Sequence, residues 1–124
     1  MILLLSLSSA IVSDVLCFGN TRGKKIQLDN GSLTVAIDPP YAPAKYSVID
    51  FVVDEGSRGR GTGTKLVSEL LKLYPNNIGA QCSSAASVAI FYKFGFRQPR
   101  DPDGTLNSAL ESMKEDSSVY LKKM

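Results

Sequence analysis

The 124-residue sequence predicts a mixed α/β (α+β) fold, and three observations lead there. An apolar, β-branched run, Val48–Val53, passes through a glycine-rich turn into an amphipathic segment, Thr64–Tyr74. A second apolar run, Ile78–Cys82, leads into another helical segment that stops at Gly95, so the second half holds two strand–helix–strand crossovers. The first half instead carries a hairpin signal, Asp29-Asn30-Gly31, between two short strand-like runs.

Taken in order, Ile2–Leu7 reads as a strand and Ser9–Phe18 as a short helix with Ala10, Ile11, Val15, Leu16 and Phe18 facing inward. A targeting segment or anchor is the alternative, against which no basic residue precedes this apolar stretch and Asp14 interrupts it before it reaches the length of a membrane span. The expected location is cytoplasmic. Gly19–Lys24 reads as a turn, and Lys25–Leu28 and Ser32–Asp38 as the two arms of the hairpin, with Asn30-Gly31 supplying positive φ. Pro39, Pro40 and Pro43 break the ladder around Tyr41. Tyr46–Asp54 is the central strand. The helix after the glycine turn buries Leu66, Val67, Leu70, Leu71 and Tyr74, and Pro75-Asn76-Asn77 ends it. Ile78–Cys82 is a strand, and Ser83 or Ser84 caps the helix that follows it. Phe96–Gln98 opens another strand and Pro99–Gly104 a loop. Leu106, Ala109, Leu110 and Met113 mark a further helix, and Ser118–Lys123 a last strand. Nothing reads as a repeat or linker, so residues 1–124 are expected to form a single domain.

Composition narrows the chemistry. Apolar residues make up 44% and charged residues 21%, which suits a chain with one packed core. A net charge of +2 is too small a bias to point to nucleic acid, which selects a concentrated basic face. The two cysteines, Cys17 and Cys82, form no C-x-x-C pair and there is no histidine. Neither a zinc site nor histidine-based acid–base or Ser-His-Asp chemistry is therefore expected, and no metal.

The turn Arg58-Gly59-Arg60-Gly61-Thr62-Gly63 carries the functional signal. Strand, glycine-rich turn and helix start together make an anion site: the glycines let backbone N–H groups converge, and the helix adds its unpaired first-turn donors and positive dipole end. Arg58 and Arg60 add charge, and Thr64 completes the first turn. A basic loop joining two packed elements is the plainer alternative. A Walker A loop would need lysine where Thr62 stands, and a dinucleotide fingerprint would need glycine at Thr64 or Leu66. What fits is R-x-x-G-x-G, through Arg58, Gly61 and Gly63.

That pattern resembles the acetyl-CoA loop of the GNAT superfamily of N-acetyltransferases. A second GNAT signature, roughly N-x-x-A-x-x-[LF]-Y-x-x-x-G-F, is similar at its end to Phe91-Tyr92-Lys93-Phe94-Gly95-Phe96. Counted back from Tyr92, Ala85 replaces the asparagine and Val88 the alanine. The resemblance covers residues 46 to 97 and implies a mixed, strongly bent sheet flanked by helices. Two neighbouring parallel strands, here Tyr46–Asp54 and Ile78–Cys82, would splay and hold the pantetheine arm through their free backbone groups. Only 57 residues precede Arg58, so the chain looks like a small, N-terminally abbreviated member. An open acceptor groove would follow, suited to a protein side chain, an N-terminus or a tRNA-linked amine.

Acetyl transfer from acetyl-CoA sets clear demands. The acceptor must be a neutral amine, and at pH 7 only about one lysine-like amine in two thousand is uncharged. The resemblance places the oxyanion donor at a strand bulge, at the backbone N–H of Val52 or Val53, and aligns Tyr92 with the tyrosine that acts as acid. Tyr92 can equally be a packed helix residue. Asp50 is the only carboxylate inside the central strand, on the face opposite Ile49, Phe51 and Val53. It can accept a proton through water or simply face solvent, and desolvation of the amine can also replace a base. Cys82 reads as a half-buried thiol more readily than as a nucleophile. Arg97 and Arg100 can draw the cofactor's adenosine phosphate or form an ordinary surface pair. The leading expectation is an acetyl-CoA-dependent N-acetyltransferase. A silent acyl-CoA-binding or protein-interaction domain and a nucleotide-binding module are the alternatives.

Overall fold

The computed structural model describes residues 10–40, 42–57, 59 and 61–124. Among the described residues, seven strands form one sheet: β1 (Ile11–Leu16), β2 (Arg22–Leu28), β3 (Gly31–Ile37), β4 (Tyr46–Val53), β5 (Ile78–Cys82), β6 (Phe96–Arg97) and β7 (Val119–Lys123). Among the same described residues, three α-helices join them: α1 (Thr62–Leu73), α2 (Ala85–Lys93) and α3 (Leu106–Asp116). The strand order is β1-β2-β3-β4-β5-β7-β6. All neighbours are antiparallel except β4 and β5, which the α1 crossover makes parallel.

The register sorts the two faces. Ile26 stands opposite Leu33 and Ala80 opposite Leu121, and all four are buried on the face that the helices cover. Leu66, Val67 and Leu70 of α1 and Val88 and Phe91 of α2 close over them. Each such side chain contributes about 1.5–3 kcal/mol by leaving water. Phe91 sits edge-on to Phe51 and Phe96, with centroids 5.4 and 5.0 Å away. Lys25, Thr34 and Asp50 line up across β2, β3 and β4 on the opposite face.

The N-terminal expectations need correction. The strand expected at 2–7 lies outside the described residues. The expected helix at 9–18 is instead the edge strand β1, and Ile11, Leu16 and Phe18 are exposed at 70%, 74% and 75%. The expected turn at 19–24 ends early, because β2 starts at Arg22. Gly23 is a strand residue, not a breaker: a Cβ there would stand 2.6 Å from both Cys17 Sγ and Val35 O. The 29–31 hairpin forms, with Leu28 paired to Gly31, but none of its residues takes positive φ. Gly31 is required by packing, since a Cβ would meet Val52 O at 2.7 Å and Thr62 Cγ2 at 3.0 Å.

The second half follows its pattern. α1 starts two residues before the amphipathic stretch, at Thr62, and Tyr74 is its C-cap, stacked on Tyr46 at 3.9 Å. Ser84 is the residue that caps α2. Thr105 caps α3 by accepting from the Ser108 N–H.

Candidate functional site

The parallel strands β4 and β5 pair only through Tyr46–Ile78, Ser47–Gly79 and Val48–Ala80. Beyond that they part. The cause lies in β4: Thr34 pairs with Asp50 and Val35 with Val48, so Ile49 is an extra residue that bends the strand. The expected bulge at Val52 or Val53 is therefore at Ile49, and Val52 and Val53 pair regularly with Ser32 and Gly31. Ladder alternation decides which amides are free. The Asp54 N–H reaches Asn30 O at 2.9 Å, which turns the amides of Val52 and Asp50 towards β3. Those of Phe51 and Val53 then face the gap.

The gap is the floor of a cleft of about 650 Å³. Its walls are 48–51 and 53 of β4, 80–82 of β5, the start of α1 and the start of α2. At the α1 start, Gly59 and Gly61 both have φ of +82°, and no atom lies within 4 Å of where a Cβ would project from either. Gly61 is the N-cap, and no side chain caps the helix. The first N–H groups of α1 thus lack a side-chain partner among the described residues, as an anion site demands. Gly63 is small for a different reason: a Cβ would meet Ile90 Cδ1 at 2.7 Å and Phe51 Cζ at 3.2 Å, where α1 crosses α2.

Most of the expected site residues meet here. Asp50, Val53, Gly59, Gly61, Thr62, Gly63 and Thr64 all line the cleft. Asp50 is exposed, on the face away from the helices, as strand alternation required. Val52 does not line the cleft and is 47% exposed. Arg58 and Arg60 lie outside the described residues. Arg97 is engaged elsewhere, donating at 2.8 Å to the carbonyls of Tyr92 and Phe96 and lying 3.6 Å over the Tyr92 ring.

Tyr92 points away from the cleft: its hydroxyl donates to Gly104 O in the loop before α3. The reason is spacing. The signature sets tyrosine four residues before its glycine, whereas Tyr92 is only three before Gly95. One residue is a turn of about 100° on a helix. Counted from Gly95, the tyrosine slot falls on Phe91, the alanine on Ser87 and the asparagine on Ser84. Those three line the cleft, and Ala85, Val88 and Tyr92 do not. Sequence reasoning missed Ile49, Phe51, Ser84, Ser87 and Phe91; the count from Gly95 would have found the last three.

Comparison with known proteins agrees with this geometry. Residues 30–96, just over half of the 124, match the family model described as acetyltransferase (GNAT) family. The chain belongs to the GNAT acetyltransferase family. No curated protein and no solved structure matches it. GNAT members use acetyl-CoA as co-substrate and transfer its acyl group. The residues present fit that molecule: an uncapped helix start over open space for the diphosphate, and free amides of Phe51 and Val53 for the pantetheine arm. Among the described residues, no helix of this GNAT chain is long and apolar enough to cross a membrane.

Cys82 closes the inner wall of the GNAT cleft. Burial pushes its thiol up to about 12, with a Ser87 hydrogen bond opposing the shift. A thiol held neutral at pH 7 is a wall, not a nucleophile.

Proposed function

We propose that this chain is an N-acetyltransferase that moves the acetyl group of acetyl-CoA directly to an amine carried by a protein. One observation carries the reading: the β4–β5 gap opens directly beneath the uncapped start of α1, so an anion site and two free strand edges share one cleft. The N–H groups at 61–64 grip the diphosphate, with Arg58 and Arg60 adding charge. One of the Phe51 and Val53 amides pairs with the pantetheine arm and the other polarises the thioester carbonyl as negative charge develops on its oxygen. Asp50, beside the bulge and open to solvent, takes the proton of the incoming ammonium directly or through one water. The amine nitrogen then forms the C–N bond and sulfur leaves. Asp50 sits on the sheet face opposite the helices, so the acceptor reaches the thioester from that open side. A cleft open on this side suits an amine on a macromolecule better than a small molecule that needs full enclosure.

The test is incubation with acetyl-CoA and dialysed lysate protein, followed by mass spectrometry. Acetylated lysines or N-termini are expected, together with a thermal shift by acetyl-CoA and little shift by ATP. A shift without any acetylated product would identify a silent binding domain, and acetylation of small free amines alone would remove the protein acceptor.

A further inference from the structure

Thioester aminolysis must deliver a proton to sulfur. The C–N bond forms, the C–S bond breaks, the amine loses one proton and the departing thiolate gains one. Tyr92 cannot supply it, since its hydroxyl is turned to Gly104 O. The slot nearest the floor is Phe91, which has no proton to give.

The remaining hydroxyls of the cleft belong to Thr62 and Thr64 under the anion turn and to Ser83, Ser84 and Ser87 at the start of α2. Ser87 lies one helical turn before Phe91 on the same face, and it lines the cleft together with Cys82 at the end of β5. It is half-buried, whereas Ser84 is exposed. The two are linked: Ser84 Oγ donates to Ser87 Oγ at 2.9 Å, and Ser87 Oγ donates to Ser84 O at 2.9 Å. Inner hydroxyl, outer hydroxyl and solvent therefore form one line.

We propose that Ser87 is a catalytic residue that donates its hydroxyl proton to the coenzyme A sulfur, with Ser84 returning a proton to it from water. The inference rests on the acetyl-transfer reading above. Rotation about one C–O bond swings the Ser87 hydrogen from the Ser84 carbonyl into the cleft, and the Ser84 hydroxyl stays in place to refill it. The neutral Cys82 beside it puts no competing negative charge near the thiolate.

The test is CoA release from acetyl-CoA with dialysed lysate protein as amine source. Ser87→Ala keeps the N-cap, because Ser84 still accepts from the residue 87 N–H. It should lower kcat about tenfold to a hundredfold, with KM and the acetyl-CoA thermal shift unchanged. Ser87→Thr should restore turnover. So should Phe91→Tyr in the Ser87→Ala background, by putting a phenol in the slot. Ser84→Gly, which keeps a favoured cap residue, should lower kcat severalfold, whereas Tyr92→Phe should leave it unchanged. Wild-type kcat in Ser87→Ala, or loss of the thermal shift together with kcat, would overturn the proposal. Absence of CoA release from the wild type would remove the transferase reading itself, and this proposal with it.

Discussion

Two helices begin at the same cleft and end their backbones in opposite ways. α2 closes its first turn internally: Ser84 accepts from the Ser87 N–H, and Ser87 accepts from the Ser84 N–H. α1 offers a left-handed glycine and no side-chain cap. A cap normally contributes about 1 kcal/mol, so α1 forgoes local stability and leaves its first-turn donors without a side-chain partner among the described residues. Similar sequence cues, small residues before an apolar stripe, thus mark both a finished end and a receptive one. What separates them is whether a side-chain oxygen stands within reach.

The contrast is sharpest at position 61. Gly61→Glu should weaken acetyl-CoA binding at least a hundredfold by calorimetry, because it places a carboxylate where the diphosphate belongs. Its left-handed backbone adds about 1–2 kcal/mol of strain, visible in the urea midpoint. Wild-type affinity in this variant would mean the α1 start is not the anion site. Gly63→Val should cost about 1–3 kcal/mol of stability by urea titration, since Ile90 and Phe51 occupy its space. Ser84→Ala should cost about 1 kcal/mol by the same measurement; no loss would mean the capping box is idle.

The smallest effect concerns the wall between the two starts. Burial pushes the Cys82 thiol up to about 12 in the folded protein, from 9.0 for an unperturbed thiol. Because the folded value is raised, its stabilisation is complete below pH 9 and fades as pH climbs towards 12. The urea midpoint should fall over that window, and less so in Cys82→Ala. Alkylation at pH 8 should reach the half-buried Cys17 before Cys82.

How far these features could be read beforehand depends on what each residue reports. α1, α3 and β7 were legible because one face of each is buried, which imprints a period, and β5 because its near-complete burial leaves a short apolar run. β1 was not: five of its six residues are exposed, so its apolar residues carry no alternation and mimic a helix face. Gly23 and Gly31 looked like breakers or turn-formers, but they answer to neighbours distant in sequence, which no local pattern records. The glycine turn before α1 was legible because Gly59 and Gly61 are needed locally, for positive φ and for space. The bulge at Ile49 left no mark, since an extra residue in a strand looks like any other. Tyr92 was misplaced by a one-residue spacing error, which a helix converts into a different face.

The ladder between the first four strands and the last three has three rungs among the described residues, at 46–48 and 78–80. Beyond those rungs the seam is also crossed where Gly63 of α1 meets Ile90 of α2 and where Phe51 of β4 sits edge-on to Phe91 of α2. The cleft opens like a book, spine at one end, with the covers meeting around Gly63, Ile90, Phe51 and Phe91. How wide it stands ajar, and hence how thick a page it accepts, is set by a methyl group that residue 63 does not have.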